Sequence, residues 1–294
     1  MLKRPVAYEI QTTNRCNGGC LVCPHRNIEQ KYQSMDRLLF KKIVDEIAVS
    51  KEPVRIVLYL NGEPFLDEYF PWRLQYTRET CPHALIEVST NLSFLSEDIL
   101  EAIKQWDIDD FRISCFGLSK ETYEQIMQGL KYETFQTNLE KLLVFRKRYA
   151  QLRNVSLTVL DLPELQAGER ELARRFCQEN HMTLNFWGYL DRAGNVKYHS
   201  NHVSVTVEEE EKKVYTCAQN RHMERMHILV DGTVILCCQD WRRENVLGSV
   251  ETDSLHDIWA GKSYEKVRRQ IDQPGYPYPE LCKKCKILLE GKRQ

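Results

Sequence analysis

No stretch of this sequence is apolar for the roughly 20 residues a membrane-spanning helix requires, so a helical membrane protein is excluded. The start, Met1-Leu-Lys-Arg-Pro-Val-Ala-Tyr8, lacks the apolar core of a secretory signal and runs straight into strand-like sequence. Net charge is also lacking. With 41 basic and 42 acidic residues among 294, the formal charge is −1, so no global field recruits nucleic acid and there is no basic tail. The longest acidic run, Glu208 to Glu211, is followed at once by Lys212 and Lys213 and reads as solvated surface. There is no internal repeat, no low-complexity segment, and no spacing among the 8 histidines that suggests a site. Hydrophobic residues at 42% and charged residues at 28% fit one large globular domain, or one with a small appendage. A cytoplasmic location is expected, where thiols stay reduced.

That expectation makes the 11 cysteines informative. Most fall in patterned groups towards the two ends of the chain, and in a reducing compartment such groups indicate metal more often than disulfides. Cys81, Cys115 and Cys177 stand apart and are expected to be small buried hydrophobes, with Cys115 placed at a strand end.

Up to about residue 190 the pattern alternates strand and helix. Strands are expected at Ala7 to Gln11, Arg55 to Leu60, Leu85 to Ser89, Phe111 to Cys115, Val155 to Val159 and Leu184 to Trp187. Helices are expected over Asp36 to Val49, with Ser34 as a possible cap, after Ser96, over Lys120 to Met127 and Phe135 to Tyr149, and near Glu169 to Glu179. Six strand–helix repeats imply an α/β fold with a parallel sheet, open or curled into a partial barrel, whose chemistry sits at the carboxyl ends of the strands. Beyond residue 196 the style changes. Ile228 to Leu236 reads as a hairpin turning at Asp231-Gly232. Ser254 to Trp259 and Tyr264 to Gln270 read as short helices, and 273–279 as loop. This part is poor in apolar residues and rich in cysteine, so metal is expected to supplement a weak core. The expected domains are therefore 1–195 and 196–294.

Cys16, Cys20 and Cys23 follow the first strand in a C-x3-C-x2-C loop, with Gly18 and Gly19 allowing the backbone to bend. Three thiolates leave one iron of a four-iron cluster open to an outside ligand. A zinc knuckle with His25 as fourth ligand is the alternative that spacing leaves open. The second group is Cys217, Cys237, Cys282 and Cys285, the last two forming a C-x2-C pair. A zinc ribbon is the alternative there. Cys237 and Cys238 are adjacent, and alternation along a strand would turn them to opposite faces.

The first loop resembles the hallmark of the radical S-adenosylmethionine (SAM) superfamily. Asn61-Gly62-Glu63-Pro64 after the second strand is similar to that family's GGE-type motif, Thr90-Asn91 to its TNG turn with Leu92 in place of Gly, and Ser114 with Phe116 to its SLDG segment. The resemblance implies a partial (β/α)6 TIM-like barrel in which Cys16, Cys20 and Cys23 hold a [4Fe–4S] cluster. It also implies that Gly62, Glu63, Pro64, Asn91 and Ser114 lie against SAM, which is cleaved to a 5′-deoxyadenosyl radical. The C-terminal part, with Cys217, Asp231-Gly232, Cys237, Leu247-Gly248, Trp259, Cys282 and Cys285, resembles the SPASM/twitch extension in its one-cluster version. That implies a second [4Fe–4S] cluster with four protein thiolates and no open iron.

The implied activity is hydrogen abstraction from a small polar, sugar- or cyclitol-like molecule, with the second cluster accepting an electron, as in twitch dehydrogenases. Two other enzymatic readings remain: epimerisation with Cys238 as hydrogen donor, and peptide modification, against which the first strand's position within the opening residues argues. An iron–sulfur electron carrier or a zinc module is the non-enzymatic alternative. A reductant such as flavodoxin or ferredoxin is the expected partner, with no nucleic acid and no membrane. Asp161, Tyr189, Asp191 and Arg192 are acid–base candidates by their position after strands five and six.

Overall fold

The computed structural model describes residues 3–196, 216–273, 276–285 and 288–289. The acidic run at 208–211 and part of the loop expected over 273–279 lie outside them.

Six parallel strands come first: β1 (Ala7–Ile10), β2 (Val54–Val57), β3 (Ala84–Thr90), β4 (Ile108–Ser114), β5 (Leu152–Leu160) and β6 (Thr183–Trp187). Between them run α1 (Arg37–Ala48), α2 (Phe70–Thr80), α3 (Glu97–Gln105), α4 (Lys120–Ile126), α5 (Tyr132–Arg148) and α6 (Glu169–Glu179). All six expected strands are present, with ends displaced by up to three residues. Ser96 caps α3 as expected, accepting from the Ile99 N–H at 3.3 Å. Ser34 does not cap α1. Asp36 does, its Oδ1 accepting from Leu38 N at 2.8 Å and Leu39 N at 3.1 Å, because a carboxylate next to the first turn satisfies two orphan donors.

Further along the chain come β7 (Thr216–Cys217), α7 (Arg221–Glu224), β8 (Arg225–Ile228), β9 (Thr233–Ile235), β10 (Val246–Ser249), α8 (Leu255–Ala260), α9 (Lys262–Asp272), α10 (Glu280–Lys283) and β11 (Leu288–Leu289). The hairpin is present, but its connection is longer than the two residues expected. Leu229 to Gly232 make the loop, closed by Leu229 N to Thr233 O at 2.8 Å, with Gly232 at φ 81. The buried Leu229 and Val230 require the longer loop, since both side chains turn into the core.

The hairpin does not form a separate sheet. β8 adds to β1 in parallel, pairing Ala7 with Arg225 and Glu9 with His227, and one nine-stranded sheet runs β10-β9-β8-β1-β2-β3-β4-β5-β6. β1 is thus an interior strand, and the C-terminal segment extends the same sheet. β7 and β11 pair apart from it, bringing Leu288 beside Cys217.

The two faces differ in chemistry. Tyr8, Ile56, Ile86, Phe111, Val155 and Met226 share one face and join the helices in a single apolar core with Phe40, Ile43, Leu74 and Leu142. The opposite face, the inside of the partial barrel, carries Glu9, Arg55, Glu87, Arg112, Arg225 and His227. Polar side chains on an inner face leave that surface for solvent or ligand rather than packing. No described helix is long and apolar enough to cross a membrane.

Candidate active site and cluster-binding thiols

Each cysteine pair of the C-x2-C type is built by one backbone turn. Cys23 N donates to Cys20 O at 3.1 Å, and Cys285 N to Cys282 O at 3.1 Å. A turn closed between positions i and i+3 brings the two side chains to one side. Cys217 and Cys237 also open such turns, accepting from Asn220 N and Asp240 N at 2.9 Å each.

In the first group the three thiols feel one another's charge, and all are free. Burial pushes Cys16 up to about 12, with Glu63 and Cys23 adding to it, although the Gly18 N–H opposes. Cys20 and Cys23 are raised by burial too. Three crowded thiols that resist ionisation are stable as thiolates only beside a cation, so this donor set suits a metal cluster. His25 is not a fourth ligand here. Its Nε2 contacts the Asn14 carbonyl at 2.8 Å and its ring stacks on Tyr32 at 5.7 Å.

The turn after β2 lies directly against this loop. A Cβ on Gly62 would stand 2.3 Å from the Thr13 carbonyl oxygen, so only glycine fits. Glu63 N donates to Arg15 O at 2.8 Å. Pro64 opens a single 3-10 turn, Pro64–Leu66, and the segment is anchored behind by a fully buried pair, Arg73 Nε to Asp67 Oδ2 at 2.6 Å. The buried Glu63 carboxylate accepts from Thr90 Oγ1 at 2.6 Å, Asn91 N at 2.8 Å and Phe65 N at 3.3 Å. Burial nevertheless raises its pKa to about 7, outweighing those hydrogen bonds.

Asn91 is joined to the first loop, its Nδ2 donating to Asn17 Oδ1 at 3.2 Å. Leu92 adopts φ 56, the left-handed conformation glycine favours, and Asn138 Nδ2 holds its carbonyl at 2.9 Å. Ser114 ends β4 on the inner face, level with Thr158 of β5. Of the residues expected near SAM, Gly62, Glu63 and Asn91 therefore lie against the three-thiol loop, Pro64 follows Glu63, and Ser114 stands at the carboxyl end of β4.

In the second group, Cys282 is pushed up to about 12 by burial, then by the neighbouring Cys285 and Cys217. Cys217 is lowered, because His222 and the Arg221 and Gln219 N–H groups outweigh its burial. His222 is itself backed by Asp272, with Nε2 2.9 Å from each carboxylate oxygen. The alternation expected of Cys237 and Cys238 does not occur. β9 ends at Ile235, so both lie in the following turn rather than in a strand. Both sulfurs face Arg221: Nη1 contacts the Cys238 sulfur and lies 3.9 Å from that of Cys237.

Cys238 also approaches the inner face, where its sulfur, a Glu9 oxygen and a His227 nitrogen lie within 4.8 Å of one another. This trio is not a cation site. Arg221 already covers the sulfur, and Arg225 Nη1 holds Glu9 Oε1 at 2.7 Å. Further along the inner face, Arg112 donates to Glu87 at 2.6 Å and to Tyr59 at 2.7 Å, and Tyr59 donates to Glu87 at 3.0 Å. Glu9, His227 and Arg221 were not singled out from sequence. The polar–apolar alternation of Ala7-Tyr-Glu-Ile-Gln11 and Arg225-Met-His-Ile228 was the available signal of a half-polar strand.

Of the acid–base candidates, Asp161 is half-exposed and paired with Arg170 at 2.6 Å, and Tyr189 donates to Val196 O at 3.2 Å. Cys81, Cys115 and Cys177 are buried, as expected, and Cys115 donates to Gly117 O at 3.0 Å.

Residues 10–147 match the radical SAM superfamily, and residues 217–286 match an iron–sulfur cluster-binding domain of the SPASM type. Residues 10–147 are thus a radical SAM domain. The cofactors implied by this domain and by the SPASM/twitch-type C-terminal segment are SAM and [4Fe–4S] clusters. The chain is 21% identical, over 278 residues covering 94% of it and 91% of the relative, to the S-adenosyl-L-methionine-dependent 2-deoxy-scyllo-inosamine dehydrogenase of Niallia circulans. Its fold is similar to BtrN in complex with AdoMet and 2-DOIA, at TM-score 0.65, 18% identity, and coverage of 97% and 94% of the two chains. It is also similar to anSMEcpe with bound AdoMet, at TM-score 0.68, 13% identity and coverage of 95% and 94%. Streptococcus suis SuiB bound to its precursor peptide matches at TM-score 0.70 and 15% identity, over 91% of this chain and 67% of that one.

Proposed function

We propose that this enzyme dehydrogenates a secondary alcohol of a small cyclitol- or sugar-like substrate. The observation that carries the reading is the inner face of the sheet. Glu9, Tyr59, Glu87, Arg112, Arg225 and His227 offer carboxylates, guanidiniums and a phenol to a compact, polyhydroxylated or amino-bearing molecule, and offer an apolar one little. The full-length likeness to an aminocyclitol dehydrogenase supports the same substrate class.

In this reading Cys16, Cys20 and Cys23 hold one cluster, and Cys217, Cys237, Cys282 and Cys285 the other. Gly62, Glu63, Pro64, Asn91 and Ser114 line the SAM site, and the division between the two parts falls near residue 195. The bound cofactors supply a 5′-deoxyadenosyl radical and a one-electron acceptor. The protein's own share is positional. Gly62 lets the turn approach the cluster loop, Glu63 fixes Asn91, and the inner-face charges orient the substrate. A small reductant protein of the flavodoxin or ferredoxin kind delivers the initiating electron, and a cytoplasmic setting suits exposed cluster chemistry.

Anaerobic incubation with SAM, dithionite and 2-deoxy-scyllo-inosamine or related cyclitols tests the proposal. Ketone and 5′-deoxyadenosine in equal amounts are expected. Formation of 5′-deoxyadenosine without oxidised product from any cyclitol would overturn it. The second reading, epimerisation, is favoured by the approach of the Cys238 sulfur to Glu9 and His227. Cys238→Ala separates the two, since a dehydrogenase keeps product formation and an epimerase loses it while still consuming SAM.

A further inference from the structure

The short helix α7 places Arg221 against two sulfurs and no carboxylate. Its Nη1 contacts Cys238 and lies 3.9 Å from Cys237, while Nε donates to Gln219 Oε1 at 2.6 Å. Among the described residues no Asp or Glu comes within ion-pair distance of it. The carboxylate on its side of the sheet, Glu9, is already held by Arg225 at 2.7 Å. Arg221 is only partly exposed, so its charge is not dispersed into solvent. A guanidinium cannot shed its proton, so its position fixes a full positive charge beside the cysteine turn at every working pH.

We infer that Arg221 tunes the second cluster, raising its reduction potential so that it accepts an electron. The inference rests on the proposed ligand set, in which Cys237 is a ligand and Cys238 is not. A four-iron cluster with four thiolates is anionic and gains a further negative charge on reduction. A fixed cation and N–H donor at a ligand sulfur stabilises the reduced form more than the oxidised one, which raises the potential. Arg221 touches no reacting atom in this scheme, and its role is to position charge.

The test compares the reconstituted holoenzyme with its Arg221→Gln and Arg221→Lys variants by redox titration, followed by EPR. SAM perturbs only the cluster of the first loop, so the SAM-insensitive signal reports the second. Arg221→Gln is expected to disfavour the reduced form of that cluster at least tenfold, about 59 mV for a one-electron couple. Arg221→Lys, which keeps the charge, is expected to shift it less. The SAM-sensitive signal should titrate unchanged in both. An unmoved SAM-insensitive potential in Arg221→Gln overturns the inference. So does loss of half the iron in both variants, which makes Arg221 a structural residue. If Gln alone fails to assemble the cluster, a wild-type-like potential in Lys supports the inference and a fall as large as tenfold overturns it. A wild-type chain that binds a single cluster overturns the proposed ligand set first, and is read from iron content before any variant is made.

Discussion

The Glu63 carboxyl group is 2% exposed and is raised to about 7 by its burial. A folded-state pKa above the unfolded value of about 4.3 means that the neutral form is favoured in the fold. Its contribution to stability is complete below pH ~4 and is lost as pH rises through about 7. The SAM-free protein should therefore lose on the order of 3 kcal/mol across that window from this group. Glu63→Gln should flatten that part of the profile, as measured by urea unfolding between pH 5 and 8. If Glu63 meets the SAM ammonium, SAM affinity should rise over the same window in wild type and not in the glutamine variant.

Gly62 makes a sharper case. A Cβ 2.3 Å from the Thr13 oxygen would force the turn away from the cluster loop. Gly62→Ala should cut SAM cleavage at least tenfold while far-UV circular dichroism stays unchanged. Both residues were legible as a motif. That Leu92 would keep a glycine-like φ of 56 was not, because the hold on its carbonyl comes from Asn138, remote in sequence.

At the scale of elements, although α2 was not among the helices expected, the sequence carried the order of the six strands and most helices between them, because period-two and period-3.6 patterns are local. It did not carry the start of α1, where Asp36 and Ser34 are both able caps and geometry chose the carboxylate. Nor did it carry the end of β9, which removes Cys237 and Cys238 from any strand alternation. The turn bearing Gly62 and Glu63 depends on what lies behind it. Arg73 and Asp67 are both fully buried and pair at 2.6 Å. Removing one partner strands the other, a loss of roughly 3–5 kcal/mol. Arg73→Met should therefore lower the unfolding free energy, measured by denaturant titration, by that much, whereas the surface pair Lys104–Glu101 should tolerate Lys104→Met with little change.

For the molecule as a whole, three thiols at one end of the barrel and four near the added strands predict about eight irons and eight sulfides per chain after anaerobic reconstitution. About four would remove the second cluster, and stoichiometric zinc would overturn both. Replacing Cys16, Cys20 and Cys23 together by Ala should abolish 5′-deoxyadenosine formation and leave about four irons, because the two groups are held by different loops. Sequence indicated two cysteine-bearing parts but not that they share one sheet. Pairing of β1 with β8 is non-local, and nothing in either strand alone names its partner. Glu9, His227 and Arg221 were missed for the same reason, since each matters only once that seam is closed.

The seam also sets an order of events during synthesis. β1 emerges first, yet one of its two edges stays unpaired until β8 follows about two hundred residues later. At ribosomal speeds that is on the order of ten to forty seconds. Through that interval the first cysteine loop hangs from a half-paired strand, open to iron-delivery proteins and to oxygen alike. Cluster insertion at Cys16, Cys20 and Cys23 is therefore free to precede completion of the sheet, whereas insertion at Cys282 and Cys285 must wait until α10 has been made.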